Sequence, residues 1–147
     1  MMSFKLWAAA LSGFVIMAQS ALAADLVVQL STKEASLQDA GCRLYTSPVG
    51  FPLKAETAAT EIWAKAGAED QQARIRFEGL SAGTYGVACF IDNNRDGIVN
   101  LSWTGRPKEP WGVSKNKRAT FRAPRFDEAS VSLNASENLA INITLKK

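Results

Sequence analysis

The sequence contains no histidine. That single absence removes a Ser-His-Asp or Cys-His nucleophile, a His-ligated zinc and a histidine pH switch together. Cysteine is scarce: Cys42 and Cys89 stand alone, and no Cys-x-x-Cys spacing is available for redox or metal chemistry. Long apolar runs are lacking as well. The stretch 6–18 is rich in alanine and falls short of the ~20 apolar residues that a bilayer-crossing helix needs. Charge of one sign is also in short supply. A formal net charge of +3 is too mild to imply a nucleic-acid partner. The 47% hydrophobic and 21% charged residues are ordinary for a folded domain and argue against disorder.

The N-terminus reads as an export signal. Lys5 supplies a basic start, 6–18 the apolar run, and Ala21-Leu22-Ala23 the small-x-small pattern at which such signals are cut. Cleavage after Ala23 is expected, leaving 24–147 as one domain in the periplasm or outside the cell. No cysteine directly follows Ala23, which argues against a lipid anchor. In an oxidising compartment an even pair of cysteines invites one bridge, Cys42–Cys89. It would close a loop of about 48 residues and contribute around 4 kcal/mol in the chain-entropy picture. The alternative is two buried thiols acting as small hydrophobes.

Short alternations of apolar and polar residues, separated by Gly, Pro, Asn and Asp, predict strands at 25–31, 42–46, 73–78, 84–91, 118–122, 130–133 and 139–145. In 73–78, Ile75 and Phe77 alternate with Arg74 and Arg76, the period of a strand with one wet face. About seven such strands point to an all-β, antiparallel, Ig-like sandwich. The segment 54–72 is alanine-rich. It reads either as a short helix near 54–65 or as an irregular crossover with a strand at 60–66.

The chemistry concentrates between 79 and 129. Asp92, Asn94, Asp96 and Asn100 place oxygen side chains at positions 1, 3, 5 and 9 of a loop, with Gly97 at 6 and the Ile98 carbonyl at 7. This is the front half of a calcium loop, and hard oxygen donors suit calcium. Trp103 stands where a bidentate glutamate belongs, so the site would need Glu109 or another acid to fold back. The same pattern also makes a metal-free Asx-rich turn. Downstream lie Trp103, Arg106, Lys108, Glu109 and Trp111, in a run too long for a mere connection. Arg106, Lys108, Lys115, Lys117, Arg118, Arg122 and Arg125 face one acid, Glu109, across that stretch. Such a loop is a candidate patch for an envelope protein, an anionic glycan or a lipid head group, with the tryptophans as stacking platforms. The plainer alternative packs both tryptophans onto the sandwich.

Three motifs carry a family resemblance. Phe77-Glu78-Gly79-Leu80-Ser81-Ala82-Gly83-Thr84-Tyr85-Gly86-Val87-Ala88-Cys89-Phe90-Ile91-Asp92-Asn93-Asn94-Arg95-Asp96-Gly97 is similar to the F-x-x-L-P-x-G-x-Y-A-V-x-V-F-H-D-x-N-x-N-G stretch of the bacterial domain-of-unknown-function family 2141. Gly105-Arg106-Pro107-Lys108-Glu109-Pro110-Trp111-Gly112-Val113-Ser114 resembles its G-I-P-K-E-G-Y-G-F-S. Pro124-Arg125-Phe126-Asp127-Glu128-Ala129 resembles its P-x-F-x-D-A. The resemblance implies an exported sandwich of the prealbumin-like or carboxypeptidase-regulatory-like kind and brings no activity with it. Ile91 replaces the family's histidine and Asn100 a frequent aspartate. The expected function is therefore a non-catalytic binding module acting through 92–114 and its basic flank. A calcium-stabilised structural domain is the alternative. A hydrolase built on Glu109 with Asp92 or Asp96 is the third reading.

Overall fold

Alternation decides where each strand puts its side chains, and the computed structural model, which describes residues 22–147, realises it as two facing sheets. The export-signal reading covers 1–23, of which 1–21 lie outside the described residues. Strand β1 (Ala24–Thr32) lies at the centre of the first sheet, between β4 (Gln72–Leu80) and β8 (Leu139–Leu145). The second sheet runs β3 (Thr60–Trp63), β2 (Ala40–Tyr45), β5 (Gly83–Ile91) and β6 (Trp111–Val113), and β7 (Val131–Leu133) pairs with the other end of β5. One helical turn, α1 (Phe126–Ala129), precedes β7. The fold is an all-β sandwich, antiparallel except where β1 and β8 pair in parallel.

The core fills the space between the sheets. Leu26, Val28 and Leu30 from β1, Ile75 and Phe77 from β4, and Ile143 and Leu145 from β8 meet Cys42, Leu44, Val87, Cys89 and Ile91. Each fully buried leucine here stabilises by about 1.5–3 kcal/mol. Arg74 and Arg76, on the other face of β4, are exposed. Cys42 and Cys89 stand opposite each other in the β2–β5 register and are bonded. The bridge pins the second sheet at its middle.

That sheet is covered on its outer face too, which is why every residue of β2 is buried. Tyr45, Ala88, Val113 and Ala129 pack there with Phe51, Trp111 and Phe126. Arg43 is 1% exposed. It pairs with Glu61, donates to the Leu53 and Gly97 carbonyls and lies 4.3 Å from the Phe90 ring centroid. A buried guanidinium with each direction occupied by an acceptor or a π-face is tolerated where an unpaired one would not be.

Of the two readings of 54–72, the crossover with a strand holds and the helix does not: a 3-10 turn at Ala55–Thr57 is followed by β3, because pairing with Gly41–Leu44 outweighs alanine's helical preference. Two expectations need correction. Residues 118–122 are not a strand, since Arg118 leaves the alternation to bond the Trp111 and Lys146 carbonyls. A strand, β6, appears instead inside the expected loop at Trp111–Val113. Trp111 and Lys146 exchange two backbone hydrogen bonds of 3.2 Å, stitching β6 to the chain just beyond β8. Gly112 permits that approach: a Cβ there would lie 2.7 Å from the Thr144 carbonyl oxygen.

Candidate functional site

Leaving β5, the chain makes one excursion from 92 to 110 at the outer end of the second sheet. Asp92 is 1% exposed. One oxygen of its carboxylate accepts the Asp96 N–H at 3.2 Å and the other the Gly97 N–H at 2.6 Å. Asp96 repeats the device on a smaller scale, accepting the Ile98 N–H at 2.9 Å and the Asn94 and Asn100 side-chain amides at 2.8 and 3.0 Å. The Asn100 amide and the Ile98 N–H hold the Asp96 carboxyl below its ordinary range. Arg95 and Gly97 take positive φ, and Arg95 reaches out to Asp39 at 2.9 Å. Glu109 does fold back: its Oε1 accepts the Asn93 N–H at 2.9 Å. Its Oε2 is a buried side-chain oxygen without a hydrogen-bond partner among the described residues.

The calcium set is thus brought together as an Asx-rich loop whose carboxylates are turned onto backbone amides. Among the described residues, no three Asp, Glu or Cys side chains converge as a metal-holding group. Ile91 is buried in the core between the sheets, on the opposite face of β5 from Asp92. The place where the resemblance has histidine therefore does not look into the loop.

The second half of the excursion is a hairpin. Leu101 and Pro107 form a bridge, the Lys108 N–H reaches the Asn100 carbonyl at 2.8 Å, and a turn closes with the Gly105 N–H on the Ser102 carbonyl at 2.9 Å. Trp103 sits on that turn and is 97% exposed, whereas Trp111 is half-buried beneath Arg118, whose guanidinium lies 4.5 Å from its centroid. The two tryptophans, grouped by the sequence, divide: one packs, the other projects. Arg106 donates to the Thr120 carbonyl at 3.2 Å, fastening the hairpin tip to the segment that carries Phe121, which is 95% exposed.

Between the hairpin tip and 118–123 lies a cleft of about 350 Å³, floored by Pro52, Leu53 and Trp111. Arg106, Arg118, Arg122 and Lys147 line it, and no acidic side chain does. Arg118 is committed to carbonyls and to Trp111, and Arg122 is held by Glu128 at 2.7 Å. The least committed cations are Arg106, with one donor used, and Lys147, whose backbone N–H bonds Glu34. Lys108 is exposed and outside the lining, and Glu109 is buried behind it. Phe121 and Lys147 were not singled out by the sequence. Phe121 stands next to Arg122, and an aromatic inside a basic flank was the available signal. Lys147 had none, because only the fold brings it here.

Several residues of the three motifs serve packing. The Tyr85 hydroxyl donates to the Ser81 carbonyl at 2.7 Å across the 79–83 turn. Buried Ser114 accepts the Val87 N–H where β6 ends. Phe126 stacks edge-on to Phe51 above Gly86, where a Cβ would come within 3.0 Å of both rings.

Fold and site together define a small disulfide-pinned all-β sandwich with one elaborated outer end. The chain belongs to the family described as uncharacterized protein conserved in bacteria (DUF2141), whose model matches residues 28–142. No curated protein and no solved structure matches the chain.

Proposed function

We propose that this chain is an exported, non-catalytic binding module that takes an anionic ligand in the cleft beside the 100–108 hairpin. The observation that supports it is the lining: four cations, a half-buried tryptophan and no acidic side chain. Guanidinium groups offer forked donors to oxyanions, and Arg106 retains most of its donors. Phosphate, sulfate and carboxylate share that chemistry, so an anionic glycan, a lipid head group and an acidic segment of an envelope protein all fit it. Inorganic pyrophosphate added at low salt is expected to change Trp111 fluorescence through its contact with Arg118. Added salt should reverse the change. Arg106→Ala should weaken the response about tenfold, the loss of one charge-assisted contact. A titration that leaves the fluorescence flat for pyrophosphate and for a sulfated oligosaccharide alike would sink the reading.

The return of Glu109 to Asn93, with Oε2 buried and unpartnered, favours calcium stabilisation as the second reading. Asp92, Asn94, Asp96, the Ile98 carbonyl and Asn100 would supply the remaining oxygens. A thermal melt that is the same in millimolar calcium and in chelator removes it.

A further inference from the structure

The cleft explains the cations but leaves Trp103 and Phe121 unaccounted for. Both are almost fully exposed; Phe121 lines the cleft and Trp103 lies outside it, and binding an oxyanion requires neither ring. The two segments that carry them are tied together. Trp103 occupies the Ser102–Gly105 turn, Phe121 follows Thr120, and the Arg106–Thr120 hydrogen bond ties one tip to the other. Exposed apolar side chains grouped on one end of a molecule mark a contact surface.

We infer that this end of the sandwich docks on the surface of an anionic phospholipid bilayer, with Trp103 and Phe121 entering the interface and the cleft cations meeting head-group phosphates. The inference rests on the anionic-ligand reading of the cleft. Its second support is charge complementarity. Arg106 and Lys108 are exposed on the hairpin that carries Trp103, Arg122 adjoins Phe121, and Lys147 lines the cleft below. The acids nearby are engaged: Glu109 is buried on Asn93, Glu128 holds Arg122, Asp127 pairs with Arg125 at 3.2 Å, and Glu34 accepts the Lys147 N–H at 2.8 Å. Tryptophan and phenylalanine beside basic residues suit a head-group region, where the rings leave water while the charges stay in it. A soluble anion held in the cleft would gain nothing from Trp103, which stands outside it. No helix among the described residues is long and apolar enough to cross a membrane, so the mode is peripheral, held by aromatic insertion and electrostatic attraction together.

The test is co-sedimentation of the purified full chain with phosphatidylcholine vesicles, with and without phosphatidylglycerol. All variants share the same N-terminus, so its own affinity for lipid cancels in the comparison. The chain should sediment with the anionic vesicles and release them as salt rises. The double variant Trp103→Ala/Phe121→Ala should bind them about tenfold or more weakly while keeping the wild-type melting temperature, and Trp103→Ala alone, which lies outside the cleft, should also keep the pyrophosphate response of Trp111. Arg106→Ala should lose both. Equal sedimentation of the double variant and the wild type would overturn the docking. So would a pyrophosphate response without binding to anionic vesicles, an outcome that leaves the cleft reading standing. Silence toward vesicles and soluble anions alike removes both.

Discussion

The two halves of the 92–110 excursion use their side chains in opposite ways. In the first, the carboxylates turn inward: Asp92 serves the amides of 96 and 97, Asp96 that of 98, and Glu109 that of 93. In the second, the hairpin is held mainly by backbone bonds, helped by the Ser102 hydroxyl on the Arg106 N–H, and Trp103, Arg106 and Lys108 are exposed. Conspicuous polar spacing therefore marks the half that builds the scaffold. The half with no regular pattern carries the groups free to meet a partner. A backbone that satisfies its own amides leaves its side chains available, while one that cannot must recruit them.

The sharpest way to break this contrast is Asp92→Ala. Two amides would lose a charged acceptor inside the protein, at a cost of about 3 kcal/mol in urea unfolding. If stability fell by less than about 1 kcal/mol, the loop would be finding other acceptors and its carboxylates would be free for other work.

Gly112→Ala comes next, at about 2 kcal/mol. It probes the frame under the hairpin rather than the loop itself. The added methyl would meet the Thr144 carbonyl oxygen, a backbone atom that cannot swing aside. β6 must then move from β8, taking Trp111 and its stacked Arg118 with it. Both the melting temperature and the Trp111 emission should change; an unchanged emission would mean that the cleft floor does not depend on the stitch.

A smaller effect separates fixed from free charge within the basic flank. Glu128 accepts from Arg122 and from the Arg125 N–H, and these hydrogen bonds hold its carboxyl at about 2 against a usual 4.5. A lowered acid stabilises the fold fully above its unfolded value. That contribution fades as pH falls from about 4.5 through about 2. Because its partner Arg122 is nearly half exposed, the slope should be shallow. Glu128→Gln should flatten stability across that window and free Arg122, tightening the pyrophosphate response at neutral pH. A variant with the wild-type slope would mean that the pair contributes nothing to folding.

How far the sequence disclosed these features follows from locality. Ile75 and Phe77 against Arg74 and Arg76 were legible because one face of β4 meets water. The bridge was legible as one of two readings, from an even pair of cysteines, while the β2–β5 register that sets them opposite belongs to the fold. β6 was hidden: three residues in a stretch dense with Pro and Gly carry no period, and what makes Trp111–Val113 a strand is β5 alongside and Lys146 across. The burial of Arg43 was hidden as well. A charge in a strand reads as a wet face, but its partners arrive from 53, 61 and 97, separations that no local pattern encodes. The cleft was half visible, since its basic flank is contiguous while Lys147 is not.

The least disruptive change is the most telling for the contrast between the two halves. Trp103→Ala should alter stability by no more than about 0.5 kcal/mol, because a side chain that is 97% exposed gives up almost no contact when it is cut back. Its turn is closed by the Gly105 N–H and the Ser102 carbonyl, neither of which the indole touches. Set beside Asp92→Ala on the same excursion, the pair forms a double dissociation: one variant unfolds readily, the other keeps its urea midpoint and loses affinity for anionic vesicles. If Trp103→Ala also lowered the midpoint by a kilocalorie or more, the ring would be folded onto the domain in solution. The hairpin would then belong with the Asp92 loop as scaffold, and the division between the halves would fall.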